Sequence, residues 1–98
     1  MTITSARDGS TLLIALSGRL DTTSAPELEE TLKTSLDGVS RLIIDCAQLA
    51  YISSAGLRVL FSAYKVMKER DGMKMIHVNE DNMDVLSLTG YTEFLDIE

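Results

Sequence analysis

The sequence predicts an α/β fold: a mixed β-sheet with helices packed on it, in the order β-β-α-β-α-β-α with a short terminal β-strand. Three observations carry this. Hydrophobic periodicity alternates along the chain between strand-like runs and helical spacing. The first two strand-like runs are separated only by Asp8-Gly9-Ser10, a turn signal that suits an antiparallel hairpin. The later strands are separated by stretches long enough for a helix, as parallel crossovers require.

The elements follow in order. Ile3 to Arg7 reads as a short strand. Thr11 to Ser17 (TLLIALS) is rich in apolar residues and reads as a well-buried strand, after which Gly18 opens a loop running to Thr23. Ser24 with Glu27 three positions on fits a capping box, and Pro26 suits the first turn of a helix. Ala25, Leu28, Leu32 and Leu36 then line one helical face, while Glu27, Glu29, Glu30 and Lys33 fall largely on the other. Asp37-Gly38 ends this helix, with glycine suited to the left-handed cap.

Arg41 to Asp45 is a β-branched run and reads as a central strand. A loop from Cys46 to Ile52 leads to Ser53-Ser54, where a second helix opens and continues to Arg70. Leu57, Leu60, Phe61, Tyr64 and Met67 share one face of it, and Val59, Ala63 and Val66 widen the apolar arc. Asp71-Gly72 closes the helix. Lys74 to Val78 is the next strand. Asp81 or Asn82 caps a last helix carrying Val85, Leu86 and Leu88 and ended by Gly90, and Phe94 to Ile97 supplies the final strand.

Composition narrows the function. A chain of 98 residues, 45% hydrophobic and 24% charged, suits one globular domain over residues 1–98. The net charge of −6 opposes nucleic-acid binding, which needs a basic face, and docking on anionic membrane surfaces. No apolar run is long enough for direct membrane insertion. The first residues lack the apolar stretch of a signal peptide, so the expected location is cytoplasmic. Cys46 has no second cysteine to bond, and one cysteine with one histidine makes no structural zinc site. Cys46 is read as a small buried residue.

Enzyme chemistry finds little footing. His77, the lone histidine, lies inside a predicted strand. Ser53-Ser54-Ala55-Gly56-Leu57 is not the Gly-x-Ser-x-Gly nucleophile elbow, and neither common Gly-rich phosphate loop is present. No cofactor or metal is expected. What stands out is Asp45 to Leu57, where a strand ends and two hydroxyls meet a helix start. A serine there suits an N-cap, accepting a hydrogen bond from a helix-start N–H for about 1 kcal/mol. Beyond the cap, which is the commoner role, it also suits a modification site, because a phosphate at a helix N-terminus meets free N–H groups and the positive end of the dipole. One serine can serve both.

At this segment the chain resembles the STAS domain family, and within it the anti-sigma factor antagonists. The resemblance rests on Ile43-Ile44-Asp45, on Tyr51-Ile52-Ser53-Ser54-Ala55-Gly56-Leu57, and on Gly18-Arg19-Leu20-Asp21 before the first helix. It extends over the whole chain in length and element order. It implies helices mainly on one side of the sheet, and a binding module rather than an enzyme. It further implies a partner-switching cycle. The unphosphorylated antagonist binds a serine-kinase anti-sigma factor and frees a sigma factor. The kinase phosphorylates the motif serine, and a PP2C-type phosphatase resets the cycle. The acceptor falls on Ser54. The family's preceding Asp falls on Ser53 and its following Ser or Thr on Ala55, which leaves Ser53 as the second choice of acceptor.

The partner-binding face is expected to comprise Asp21, Thr22, Thr23, Ser53, Ser54, Gly56 and Arg58. Asp21 suits either a partner contact or a loop cap. Gly56 suits either close approach of a partner backbone or tight helix packing. Arg58 suits either a partner contact or a solvated face. Phe61 and Tyr64 are read as core. The alternative within the family is a non-phosphorylated scaffold or accessory subunit of a lipid or anion transport complex.

Overall fold

The computed structural model describes residues 1–98. Strands β1 (Thr2–Asp8) and β2 (Thr11–Leu20) form an antiparallel hairpin that turns at Gly9, whose φ of 63° is the left-handed conformation glycine adopts freely. Then come α1 (Ala25–Ser35), β3 (Arg41–Ile52), α2 (Ser54–Met67), β4 (Met73–Ile76), α3 (Glu80–Leu88), a 3₁₀ turn at Tyr91–Glu93 and β5 (Asp96–Ile97). The sheet order is β1-β2-β3-β4-β5. Only the first pair is antiparallel, so the sheet is mixed, as expected.

Strand alternation sets the layers. Leu12, Ile14 and Leu16 of β2, Leu42, Ile44 and Cys46 of β3, and Met73 and Met75 of β4 are buried. They form one core with Leu28 and Leu32 of α1 and Leu57, Leu60 and Met67 of α2. The alternate residues Leu13, Ala15, Ile43 and Asp45 are only half-buried. The helices therefore cover one face of the sheet and leave the other open. Arg7 ties the hairpin to the end of α1, donating to the carbonyls of Asp37 at 3.2 Å and Gly38 at 2.8 Å.

The elements differ from the sequence reading at their ends. β2 does not stop at Ser17, and the loop expected over Cys46–Ile52 is strand. The two chains stay paired through Ser17–Gln48, Gly18–Leu49, Arg19–Tyr51 and Leu20–Ile52, with register shifts on either side of Ser17–Gly18. Each shift inserts a bulge, so the buried residues of β3 run Leu42, Ile44, Cys46 and then Leu49, Ile52. The step lengthens from two to three, which hides the strand from a period-two reading.

Several ends move as well. The capping box at Ser24 does not form: its Oγ donates to Arg19 O at 2.6 Å and accepts from Asp21 N at 2.9 Å, closing the turn after β2 instead. α2 stops at Met67, and Arg70 reaches back to the carbonyls of Leu36 at 2.6 Å and Val39 at 2.7 Å. β4 ends at Ile76, so His77 lies outside it with φ 58°. The cap of α3 is Asn79, not Asp81 or Asn82. Asn82 is buried, and its Nδ2 donates to Leu49 O at 3.0 Å, satisfying a carbonyl in the irregular stretch of β3.

The apolar faces are narrower than the spacing suggests. Phe61 is 38% exposed and Val66 42%. The arc of Leu57, Val59, Leu60, Ala63 and Met67 already fills the side of α2 facing the sheet and α1. Phe61 turns instead toward the C-terminal segment, where its ring meets Phe94 at 5.5 Å and Tyr91 at 6.3 Å. Leu88 is 88% exposed, because the turn of α3 that seats Leu86 inward carries it round to solvent.

Candidate functional site

The prolonged pairing of β2 and β3 brings the two motifs together at one end of the sheet. Leu20–Ile52 is the last paired position, and Ser53 N donates to Leu20 O at 2.8 Å. Ser53 is extended (φ −91°, ψ 174°), and its Oγ accepts from Gly56 N at 3.2 Å, so it is the N-cap of α2. Ser54 is the first helical residue and is exposed. Its hydroxyl makes no hydrogen bond within the protein, which leaves it accessible at the helix start.

Gly56 is buried beneath this corner. A Cβ there would stand 2.6 Å from Leu20 Cγ and 3.1 Å from Leu20 O. Of the two roles its position suits, the geometry supplies tight packing: only a bare backbone lets α2 begin against the end of β2. Gly56 shapes the face from below and does not itself form it.

The turn after β2 lies alongside. Asp21 Oδ1 accepts from Thr23 N at 3.0 Å, Ser24 N at 3.1 Å and Ser24 Oγ at 3.2 Å. The Ser24 amide hydrogen bond, helped by that of Thr23, holds the Asp21 carboxyl below its ordinary value. Asp21 thus caps its own turn, and Thr22 and Thr23 are exposed on it. Arg19 stacks on Tyr51 with its guanidinium carbon 4.3 Å from the ring centroid and reaches Asp21 at 4.0 Å. The sequence reading missed this pair. Its signal was the outward position of both residues just before a buried strand residue, Leu20 and Ile52, legible only if both strands continue past their bulges.

Arg58 is exposed one turn into α2, with no hydrogen bond or ion pair of its own. Beside it, Tyr91 Oη donates to Leu57 O at 2.7 Å, fastening the C-terminal segment to the first turns of α2. Burial pushes the Tyr91 phenol up, against the pull of the Arg58 cation.

Two further groups lie apart from this corner. Asp45 Oδ1 is 2.9 Å from His77 Nδ1 and accepts from Ala47 N at 3.0 Å; the His77 hydrogen bond, then that of Ala47, lowers the Asp45 carboxyl. Cys46 is buried, which pushes its thiol up to about 12. No three His, Cys, Asp or Glu side chains are grouped to hold a metal ion, and no helix is long and apolar enough to cross a membrane. The corner is thus built of exposed hydroxyls, free helix-start N–H groups and one unengaged cation, and no carboxylate or imidazole is hydrogen-bonded to Ser53 or Ser54. That arrangement suits binding and modification.

Comparison with known proteins gives the corner its context. The STAS domain family model matches residues 2–98. The chain is 30% identical over 82 residues to BtrV of Bordetella bronchiseptica, whose provisional name is anti-sigma factor antagonist; the match covers 82% of this chain and 71% of that protein. It is 28% identical over 85 residues to the anti-sigma-B factor antagonist of Bacillus subtilis, covering 86% and 78%. Among solved structures, an anti-sigma factor antagonist from Mycobacterium paratuberculosis superposes with a TM-score of 0.88 at 22% identity, over 98% of this chain and 83% of that one. The Bacillus cell fate determinant SpoIIAA in its phosphorylated form gives 0.77 at 15%, over 99% and 91%. A sulfate transporter family protein from Wolinella succinogenes gives 0.74 at 15%, over 86% and 70%. These structures establish likeness of fold.

Proposed function

The chain belongs to the STAS domain family, and on that ground we propose that it is an anti-sigma factor antagonist acting as a phosphorylation-switched binding module of the cytoplasm. It is a binding protein, not an enzyme. Unphosphorylated, it binds a serine-kinase anti-sigma factor, which then releases its sigma factor. The kinase transfers the γ-phosphoryl group of ATP to Ser54 Oγ. The new P–O bond forms as the bond to ADP breaks, and the hydroxyl proton leaves to the kinase. A PP2C-type phosphatase hydrolyses the phosphoserine and restores the binding form.

The observation that carries this reading is the division of labour within the serine pair. Ser53 is committed to the N-cap, whereas Ser54 is exposed with a free hydroxyl. The kinship with anti-sigma factor antagonists supports the partner assignment. The binding face consists of Asp21, Thr22, Thr23, Ser53, Ser54 and Arg58, supported from below by Gly56. A phosphate beside the positive end of α2 leaves the fold intact, because that end favours negative charge.

The test is titration calorimetry with the cognate anti-sigma kinase, together with mapping of the phosphate after incubation with ATP. Ser54→Ala keeps binding and takes up no phosphate. Ser54→Asp weakens binding by roughly 30- to 3000-fold, the cost of about 2–5 kcal/mol for an unpaired charge in an interface. Phosphate mapped outside Ser53 and Ser54, or equal affinities of wild type and Ser54→Asp, would overturn the reading.

A second reading draws on the likeness to a sulfate transporter family protein: a non-phosphorylated accessory subunit of a transport complex. Copurification of the native protein separates the two, by recovery of kinase and phosphatase or of transporter subunits.

A further inference from the structure

We propose that Arg58 is the internal receptor of the phosphate on Ser54. Modification then adds charge at the start of α2 and, in the same event, takes a cation out of play on that helix's exposed face. The inference rests on the switch reading above and supplies its local mechanism.

Geometry comes first. Ser54 and Arg58 are both exposed and four residues apart on α2, which makes them surface neighbours. The negative group would stand N-terminal to the positive one, the favourable order. A guanidinium fork matches two phosphate oxygens in a way a lysine does not.

Availability comes second. Arg7 is held by the carbonyls of Gly9, Asp37 and Gly38, and Arg70 by those of Leu36 and Val39. Arg19 lies on Tyr51 beside Asp21. Arg58 has no such engagement, and Arg41, the other unengaged arginine, stands at the opposite end of β3 from Ser54.

The surrounding charges leave the pair uncontested. From Ser54 to Lys68 the chain carries Arg58, Lys65 and Lys68 and no Asp or Glu, within a protein of net charge −6. Asp21 is satisfied by its own turn and by Arg19. Tyr91, the group of the C-terminal segment that feels the Arg58 charge, has its hydroxyl committed to Leu57 O. Lys65 lies eleven residues beyond Ser54, about 16 Å along the helix, too far to compete. In the unmodified protein Arg58 is free to meet a carboxylate on the partner; in the modified protein it is paired.

The experiment needs neither kinase nor partner. Phosphoserine is installed at position 54 by an expanded genetic code, and the phosphate is titrated by ³¹P NMR in wild type, Arg58→Gln, Arg58→Lys and Lys65→Gln. The wild-type phosphate should titrate below the usual value of about 6. Arg58→Gln should raise the midpoint by about 0.3 units or more, Arg58→Lys should recover part of it, and Lys65→Gln should leave it unchanged. The Arg58 Nε–H resonance of the wild-type phosphoprotein should follow the same midpoint, a readout that requires no substitution. A midpoint indifferent to Arg58→Gln, an equal shift from Lys65→Gln, or an Arg58 resonance that does not titrate would overturn the proposal. A natural kinase that modifies another residue would overturn the switch reading and leave this measurement standing.

Discussion

One methyl group at Gly56 tests how the site is built. Gly56→Ala places a carbon 2.6 Å from Leu20 Cγ, 2.9 Å from Cδ2 and 3.1 Å from the Leu20 carbonyl oxygen. Carbon atoms prefer about 3.5–4.0 Å, so the methyl arrives about 1 Å too close. The obstacle is a branch carbon of a fully buried side chain, and the nearby carbonyl is fixed by Ser53 N at 2.8 Å. Overpacking of this kind costs about 1–3 kcal/mol, and the sub-3 Å contacts argue for the upper end. Alanine returns about 1 kcal/mol through its better helix propensity. The expected net loss is about 2 kcal/mol, or a melting temperature lower by about 8–16 °C for a domain of this size. Urea unfolding should show a lower midpoint at unchanged slope. In a Leu20→Ala background the same substitution should cost at least about 1 kcal/mol less, since the clash has lost its partner. If Gly56→Ala is as stable as wild type, Leu20 does not constrain the start of α2, and the account of the corner fails.

The other expectations concern single groups. Ser53→Ala should cost about 1 kcal/mol in urea unfolding and Ser54→Ala under about 0.5, because only Ser53 caps the helix; equal losses would remove that distinction. Asp21→Asn should be less stable than wild type at neutral pH, with the gap closing as pH falls below 3.8. The folded carboxyl titrates below its unfolded value, so its contribution is present above 3.8 and lost as pH drops through the folded value; a gap constant from pH 7 to pH 2 would contradict this. Cys46, with its thiol pushed up to about 12 and buried, should react with a disulfide reagent at pH 8 only as fast as the protein opens, and immediate stoichiometric labelling would refute that. Tyr91→Phe should cost about 0.5–1.5 kcal/mol by removing the hydrogen bond to Leu57 O, measured by thermal melting.

The architecture was legible because it rests on periodicity, and the misreadings have a shared cause. Leu28 and Leu32 of α1, and Leu42 and Ile44 of β3, sit where spacing alone puts them. The outer halves of β2 and β3 do not follow a period of two, because two bulges break the alternation while the chains remain paired. Losing those halves also lost what depends on them: the Arg19–Tyr51 stack and the Leu49 carbonyl that receives Asn82. The capping box at Ser24 failed for another reason. The residue types fit, but the hydroxyl had a competing local partner in the turn after β2, which no helix rule weighs. The Ser53 cap survives because that serine leaves an extended strand, the backbone entry an N-cap requires.

That cap also explains how the motif tolerates its missing carboxylate. The position before the proposed acceptor has an architectural task, which is to accept the Gly56 N–H with a short side chain, and serine does this at 3.2 Å. Aspartate and serine are close to equal as N-caps, so the exchange costs the helix little. What changes is electrostatic. An Asp at 53 would set a full negative charge next to the proposed phosphate, competing with it for the helix-start N–H groups and for any nearby cation. With Ser53 no charge stands at the position directly before Ser54, and α2 offers a phosphate its positive end and Arg58 together. The departure from the family pattern thus keeps the geometry of the helix start and leaves its positive potential to a charge on Ser54.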